Sequence, residues 1–326
     1  MTLASGVGSH PGDDQHAFDE ALHLVLGELS LPYLPEVPGR GAQAGMVGRT
    51  LATLSGLAAD LQPAGWRLQD SPGIDHRRAV SLLSQDLDAL EEQAQDYTGP
   101  FKIQVTGPWT LAATVERPRG DRVLADHGAR RELAESLAEG LGTLVSSVRR
   151  RVPGAALLVQ VDEPALPAVL AGSVPTASGF SRHRSVDPPT AAAALELVFS
   201  AVRSAEAEPV VHCCAADVPF DLLSRAGAPG ISVDVSLLTA SQHDGVATAI
   251  ENGRWVLLGV VPTTRPATAA SARSVTERTE RFLDVLGLSP GERLVLTPTC
   301  GLAGADPQWA RTALDLCKQA AASLAD

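Results

Sequence analysis

The sequence predicts one α/β domain over residues 1–326, with the strand and helix order of a (β/α)8 TIM barrel. Short runs rich in Val, Ile and Leu are near-continuous rather than alternating, which is typical of parallel strands buried on both faces. Amphipathic helical patterns lie between these runs, and strand and helix alternate about eight times. A doubly wound open sheet is the alternative, because periodicity does not show whether a sheet closes.

Each predicted strand is an apolar run that ends in Gly, Pro or polar residues. The runs are 3–9, 31–37, 101–108, 156–164, 209–214, 230–236, 254–261 and 293–300. Apolar residues at three- and four-residue steps predict helices near 14–29, 80–90, 133–148, 190–205, 270–286 and 306–324. The Pro- and Ser-containing stretch 173–190 is predicted to be a long loop of the barrel rather than a domain boundary.

Composition excludes some classes of partner. The formal net charge of −12 argues against a nucleic acid partner, because no basic stripe offsets the acidic balance. No apolar run approaches the roughly 18 residues of a membrane span, and the first residues lack the pattern of a signal peptide. We therefore expect a cytoplasmic protein without a membrane partner. In a reducing compartment, its four cysteines are expected to be ligands or packed thiols rather than disulfides.

Polar side chains follow the predicted strands at the end where barrels carry their ligands and catalytic groups. They are Ser9, His10, Glu36, Thr106, Asp162, Glu163, His212, Cys214, Asp234 and Cys300. Burying so many polar groups without a role is costly. The pattern therefore predicts a functional site at the carboxyl ends of the strands.

Four of these residues suit zinc. His212 and Cys214 are two apart, so on an extended segment both side chains point to one side, and Cys213 points away. Asp234 and Cys300 would join from neighbouring strand ends, giving the thiolate, imidazole and carboxylate ligands that zinc accepts. The alternative is that a His and a Cys at a strand end are packed or hydrogen-bonded side chains.

Six segments, in order along the chain, resemble the C-terminal catalytic barrel of cobalamin-independent methionine synthase. They are "GVGSHPG" (6–12), "VTGPWTLA" (105–112), "VQVDEPAL" (159–166), "VVHCC" (210–214), "ISVDVS" (231–236) and "LTPTCGL" (296–302). The resemblance implies that His212, Cys214, Asp234 and Cys300 bind zinc. The family usually has Glu at the position of Asp234, which is one methylene shorter.

The resemblance also implies how homocysteine is held. Its carboxylate would bind at Val7, Gly8 and Ser9, and its ammonium group would pair with Asp162 and Glu36. Zinc would lower the pKa of the substrate thiol, so that the thiolate is the nucleophile in methyl transfer.

Residues that bind the folate donor in that family differ in this chain. The segment after the seventh strand, "LGVVPTTRPAT", has no histidine where the family has a proton donor. Thr114 stands where the family has a folate-stacking tryptophan, Trp109 lies elsewhere, and Ala168 replaces an acidic residue. The thiol-binding half of the resemblance is thus intact, and the folate half is altered.

The sequence therefore predicts a zinc-dependent methyltransferase acting on homocysteine or a related thiol. The donor is expected to differ from methyltetrahydrofolate, for example a methylated corrinoid or a corrinoid protein. Two alternatives stay open: a non-catalytic relative that binds zinc and a thiol or amino acid, and a metal-free barrel similar to porphyrinogen decarboxylase.

Overall fold

Seven parallel strands form one curled sheet in the computed structural model, which describes residues 1–227 and 230–324. The sheet strands are β1 (Leu3–Ala4), β4 (Gly99–Thr106), β5 (Ala155–Asp162), β6 (Glu208–Cys213), β7 (Gly230–Asp234), β8 (Trp255–Val261) and β9 (Leu294–Pro298). Their order across the sheet is β1-β9-β8-β7-β6-β5-β4. The other two strands, β2 (Ala58–Gln62) and β3 (Gly65–Gln69), form a separate antiparallel hairpin. The chain is thus an α/β fold in a single domain, with a parallel sheet whose strands are almost wholly buried.

Helices connect the strands and cover the outside of the sheet. They are α1 (Gln15–Glu28), α2 (Met46–Leu51), α3 (Ile74–Ala94), α4 (Pro108–Thr114), α5 (His127–Arg151), α6 (Leu166–Leu170), α7 (Pro188–Ser204), α8 (Phe220–Arg225), α9 (Ala240–Glu251), α10 (Ala272–Leu286) and α11 (Pro307–Ser323). Four of them begin with an aspartate that accepts a main-chain N–H of the first turn: Asp14, Asp126, Asp187 and Asp306. Within the described ranges, no helix combines the length and apolar character needed to cross a membrane.

The strand register places the polar strand ends at one level. Thr106 of β4 pairs with Asp162 of β5, Asp162 pairs with His212 of β6, and His212 pairs with Ser232 of β7. Because these strands are parallel, their carboxyl ends lie along the same edge of the sheet. The functional residues predicted from separate segments therefore meet there.

The second predicted strand, 31–37, is not a regular strand. It makes only isolated parallel bridges, Tyr33 with Lys102 and Ser9 with Glu36. The physical reason is that Pro32 and Pro35 lack a main-chain N–H, so the ladder cannot continue through them. The segment nevertheless bonds to both edges of the sheet, with Leu31 N donating to Ala4 O and Leu34 N donating to Lys102 O.

Other boundaries also differ from the predictions. The first strand covers only Leu3–Ala4, and the hairpin Ala58–Gln69 was not predicted. The stretch 173–190 has no helix or strand up to Asp187, and its last residues form the first turn of α7, with Pro188 at a position where proline suits a helix start. The six predicted helices are all present at approximately the predicted positions.

Two arginines of segment 36–51 and an aspartate of α3 form a buried ionic network. Arg40 binds both carboxylate oxygens of Asp86 on α3 at 2.8 Å, and Arg49 donates to Asp86 Oδ2. The Nε atom of Arg49 also lies 3.8 Å from Glu36 Oε1. The Asp86 side chain is fully buried. It therefore serves as the shared counter-ion of two buried guanidinium groups, and Glu36 is a second acid beside Arg49.

Replacing Asp86 by Ala should lower the free energy of unfolding by about 3–5 kcal/mol, because two buried cations would lose their counter-ion. Urea unfolding measures this change. Asp88→Ala is the matched control on the same helix: Asp88 is 64% exposed and pairs with Arg151, so its loss should cost about 1 kcal/mol or less. Equal losses in the two variants would contradict the importance of the buried network.

His10 follows the first strand and lies in the interior. It is 3% exposed, and its Nε2 lies 2.6 Å from the hydroxyl oxygen of Tyr33. Burial lowers the pKa of His10 to about 4. The folded protein therefore holds this imidazole neutral at pH values where an unfolded chain protonates it.

Below pH 6.5, protonation of His10 favours the unfolded chain, so stability is lost as the pH falls towards 4. At pH 5 the loss should be about 2 kcal/mol relative to pH 7.5. We expect His10→Gln to show a correspondingly smaller drop in the free energy of unfolding between these pH values. The exposed His16 supplies the control, and His16→Gln should leave the drop unchanged. A wild-type drop that persists in His10→Gln would contradict this assignment.

Candidate metal and thiol-binding site

Three of the predicted metal ligands lie together at the carboxyl edge of the sheet. His212 is on β6, Cys214 is the first residue after β6, and Cys300 follows β9. Their ligand atoms all lie within 4.8 Å of one another. One imidazole and two thiols at this separation are a donor set that suits zinc.

The orientation of His212 is set by its other ring nitrogen. His212 Nδ1 lies 2.9 Å from Ser232 Oγ on the neighbouring strand, which leaves Nε2 facing Cys300 Sγ at 4.0 Å. Such a partner on the far side of the ring is common for metal-binding histidines. Cys213, the residue between the two candidate ligands, points into the apolar core, and burial raises the pKa of its thiol to about 11.

The two candidate thiols are in direct contact. Cys214 Sγ and Cys300 Sγ are 2.8 Å apart, and both cysteines are free. The hydrogen bond from Cys214 lowers the pKa of Cys300 to about 4, and the same hydrogen bond raises the pKa of Cys214. A thiolate is therefore available at this position near neutral pH, and thiolate is the form of cysteine that binds metals.

Asp234, the fourth predicted ligand, is not part of this group. It ends β7, where its carboxylate accepts hydrogen bonds from Ser236 N at 2.8 Å and Ser236 Oγ at 2.6 Å. Asp234 thereby caps the short helical turn Val235–Leu237. The short side chain of aspartate favours such a local cap.

Two buried carboxylates lie near the three ligand side chains. Asp162 Oδ1 accepts a hydrogen bond from Gln160 Nε2 at 2.7 Å, and Glu36 Oε1 is 3.3 Å from Gln104 Nε2. Burial raises the pKa of Asp162 to about 7 and also raises the pKa of Glu36. Carboxylates in such a setting gain from a cationic partner, because the cation restores the interaction that water supplied.

The segment Val7–Ser9 connects these carboxylates to the loop that carries Cys300. Ser9 pairs with Glu36 through an isolated bridge, and Ser9 O accepts a hydrogen bond from Leu302 N. A Cβ atom at Gly301 would lie 2.1 Å from Ser9 Oγ, so a side chain at this position would force the Ser9 hydroxyl to move. All five predicted substrate-binding residues therefore lie on segments that meet the candidate metal ligands at one edge.

The carboxylate of Glu163 is bonded to the first turn of α4. It is fully buried and accepts hydrogen bonds from Trp109 N, Thr110 N and Thr110 Oγ1 at the start of α4. A Cβ atom at Gly107 would lie 2.4 Å from Glu163 Oε1, so this glycine is required for the close approach. Burial raises the pKa of Glu163 to about 7. Glu163 thus links β5 to the turn after β4.

Sequence reasoning missed four polar side chains around the site: Lys102, Gln104, Gln160 and Ser232. All four are buried, at 8% exposure or less. Lys102 and Gln104 lie on the same face of β4 as Thr106, and Gln160 precedes Asp162 by two residues on β5. A lysine or glutamine inside an otherwise apolar strand was the available signal.

The altered folate positions have other contacts. Trp109 is buried and donates from Nε1 to Ala191 O on α7. Thr114 Oγ1 donates within its own helix to Thr110 O, and Ala168 packs against the core. After β8, Arg265 pairs with Asp306.

Comparisons with known proteins identify the family and the fold. The family model described as the catalytic domain of cobalamin-independent synthase matches residues 93–323, more than two thirds of the chain. A comparison with curated proteins finds no match.

Among solved structures, a B12-independent methionine synthase from Shewanella sp. W3-18-1 in complex with selenomethionine has a TM-score of 0.65 at 15% identity, covering 99% of this chain and 97% of that one. A GH5_18 protein from Streptomyces cattleya in complex with GlcNAc has a TM-score of 0.51 at 17% identity, covering 99% of this chain and 80% of that one. At these identities the structural likeness shows the fold alone. The family match has a broader consequence: this chain belongs to the cobalamin-independent synthase catalytic-domain family.

Proposed function

We propose that this protein is a zinc-dependent methyltransferase that methylates the thiol of homocysteine to give methionine. The observation that carries the proposal is the group His212, Cys214 and Cys300, with ligand atoms within 4.8 Å of one another. Family membership supports methyl transfer as the type of reaction. The methionine synthase of similar fold was solved with selenomethionine, which supports an amino acid product of that shape.

In this proposal His212, Cys214 and Cys300 hold zinc, with Asp234 as a fourth ligand after rotation away from Ser236. Zinc supplies Lewis acidity that lowers the pKa of a bound thiol. Ser232 keeps the His212 ring oriented through Nδ1. The low pKa of Cys300 supports metal binding at neutral pH, because fewer protons must be displaced.

The amino acid end of homocysteine would lie on the other side of the site. Asp162 and Glu36 would bind its ammonium group, and the main chain of Val7 and Gly8 with Ser9 would bind its carboxylate. The raised pKa values of the two buried carboxylates support this assignment, since an ammonium partner favours their ionised forms. These contacts would orient the thiol towards the metal ligands.

The methyl donor in this proposal is not methyltetrahydrofolate. The family's folate-stacking position is Thr114, which hydrogen-bonds within its own helix, and the segment after β8 has no histidine. A methylated corrinoid, free or carried by a partner protein, is the donor class we infer. We also propose that segment 31–37 completes an eight-stranded barrel, which its main-chain hydrogen bonds to both sheet edges support.

Metal analysis and methyl-transfer assays test the function directly. Protein purified under reducing conditions should contain one zinc per chain, and Cys300→Ser should contain little. Methyl transfer to homocysteine should occur with methylcobalamin and not with methyltetrahydrofolate. The buried Cys317→Ser is the matched control and should keep its zinc.

A metal-free wild type would favour the decarboxylase-like alternative. Zinc without transfer from any donor would favour a non-catalytic binding protein, and efficient use of methylfolate would overturn the donor assignment.

Ser232→Ala should weaken zinc binding by about 10- to 100-fold, because the His212 ring would lose the partner that orients it. Competition with a chromogenic chelator measures the affinity. Ser236→Ala is the control for a serine near the site that does not contact His212. It removes the Oγ bond to Asp234 and keeps the bond from Ser236 N. Its zinc affinity should be unchanged. Unchanged affinity in Ser232→Ala would rule out this role for the serine.

A further inference from the structure

Two buried side chains from neighbouring strands bind one main-chain oxygen. Lys102 Nζ on β4 donates to Val7 O at 2.8 Å, and Gln160 Nε2 on β5 donates to the same atom at 2.9 Å. Both residues have 0% exposure. Burying an ammonium group costs several kcal/mol before its interactions are counted. The burial of Lys102, whose ammonium group donates a hydrogen bond to the Val7 carbonyl, therefore needs an explanation.

The surroundings of Lys102 offset its charge. Its ammonium lies 4.8 Å from the centre of the Tyr33 ring, and the carboxylates of Asp162 and Glu36 act on it electrostatically. Burial lowers its pKa to about 8, and these two carboxylates oppose the shift. Lys102 thus interacts with both acidic groups of the site while its hydrogen bond goes to the Val7 carbonyl.

The orientation of the Val7 carbonyl also determines the orientation of the Gly8 N–H. The Val7–Gly8 peptide is trans, so the Gly8 N–H points in the direction opposite to the Val7 C=O. It therefore points away from Lys102 and Gln160. Within residues 1–227 and 230–324, no acceptor is hydrogen-bonded to Gly8 N, although Gly8 is buried.

An unpaired buried N–H is rare, because it loses its hydrogen bond to water without replacement. Gly8 also lies close to Gln104: a Cβ atom there would be 2.9 Å from the Gln104 side chain, which would have to shift. The peptide is thus held tightly from one side, and its donor is left for a ligand on the other.

We propose that Lys102 and Gln160 are positioning residues that hold the Val7–Gly8 peptide so that the Gly8 N–H meets the α-carboxylate of the thiol substrate. This inference rests on the proposed function, in which homocysteine is that substrate. Neither side chain touches the substrate. Both act through the Val7 carbonyl that they share, and Gln160 Nε2 also donates to Asp162 Oδ1.

The test compares the binding of three thiols to the zinc-loaded protein by calorimetry. Homocysteine has both polar groups, 4-mercaptobutanoate has only the carboxylate, and 3-aminopropane-1-thiol has only the ammonium group. Lys102→Met and Gln160→Met should each weaken homocysteine and 4-mercaptobutanoate by about tenfold, the value of one good hydrogen bond. Lys102→Met should not weaken 3-aminopropane-1-thiol, which does not use the Gly8 N–H. Gln160→Met also removes the hydrogen bond to Asp162 Oδ1, so it should weaken this thiol too, but by less than it weakens 4-mercaptobutanoate.

Two control variants sharpen the comparison. Lys318 is the other lysine of the chain, lies on the surface and pairs with Glu28, so Lys318→Met should change no affinity. Gln104 is the register partner of Gln160 but donates to Leu34 O and Glu36. Gln104→Met should therefore weaken the two thiols that carry an ammonium group more than 4-mercaptobutanoate.

Equal weakening of all three thiols by Lys102→Met and Gln160→Met would overturn the proposal, because it would indicate a general structural role. A carboxylate-specific loss in Lys102→Met alone would overturn it as well, since that pattern indicates long-range charge. If Lys102→Met does not fold, the Gln160→Met result decides. A wild-type protein that binds none of the three thiols would instead contradict the proposed function.

Discussion

The parallel register of β4, β5, β6 and β7 is the constraint on which the site depends. It sets Thr106, Asp162, His212 and Ser232 side by side, one from each strand. Inward-facing positions recur every second residue along a strand, so the same register also stacks Gln104 beside Gln160 one layer below. A one-residue slip between any two strands would turn these side chains outward and separate His212 from Ser232.

The polar interior follows from this layering. Lys102, Gln104, Gln160, Asp162 and Glu36 occupy positions that apolar side chains fill in an ordinary core. Each makes at least one hydrogen bond, but the Oε1 atoms of Gln104 and Gln160 are buried without a partner in the described structure. These two acceptors face the cost of burial without a hydrogen bond.

Local patterns predicted the seven strands of the parallel sheet and six of the eleven described helices, because continuous apolar runs and helical periodicity indicate buried strands and amphipathic helices. They also predicted that His212, Cys214 and Cys300 lie together, since parallel strand ends share an edge. Segment 31–37 forms isolated parallel bridges rather than the regular strand predicted, because Pro32 and Pro35 interrupt the ladder. The cap that Asp234 makes with Ser236, and the bond from Lys102 to Val7 O, depend on side-chain rotamers and on contacts across 95 residues. Neither is visible in a local pattern.

The pairing of β1 with β9 has a consequence for the order of assembly. Leu3 pairs with Val295, and Ser9 packs beside Gly301, so both contacts join segments that are far apart in sequence. Contacts of this kind form late in folding, because the intervening chain must first lose its freedom. Cys214 can be placed by its local strand, but Cys300 reaches it only when β9 has docked. The two thiols therefore come together only in the completed fold, and a metal bound by both of them would stabilise that fold.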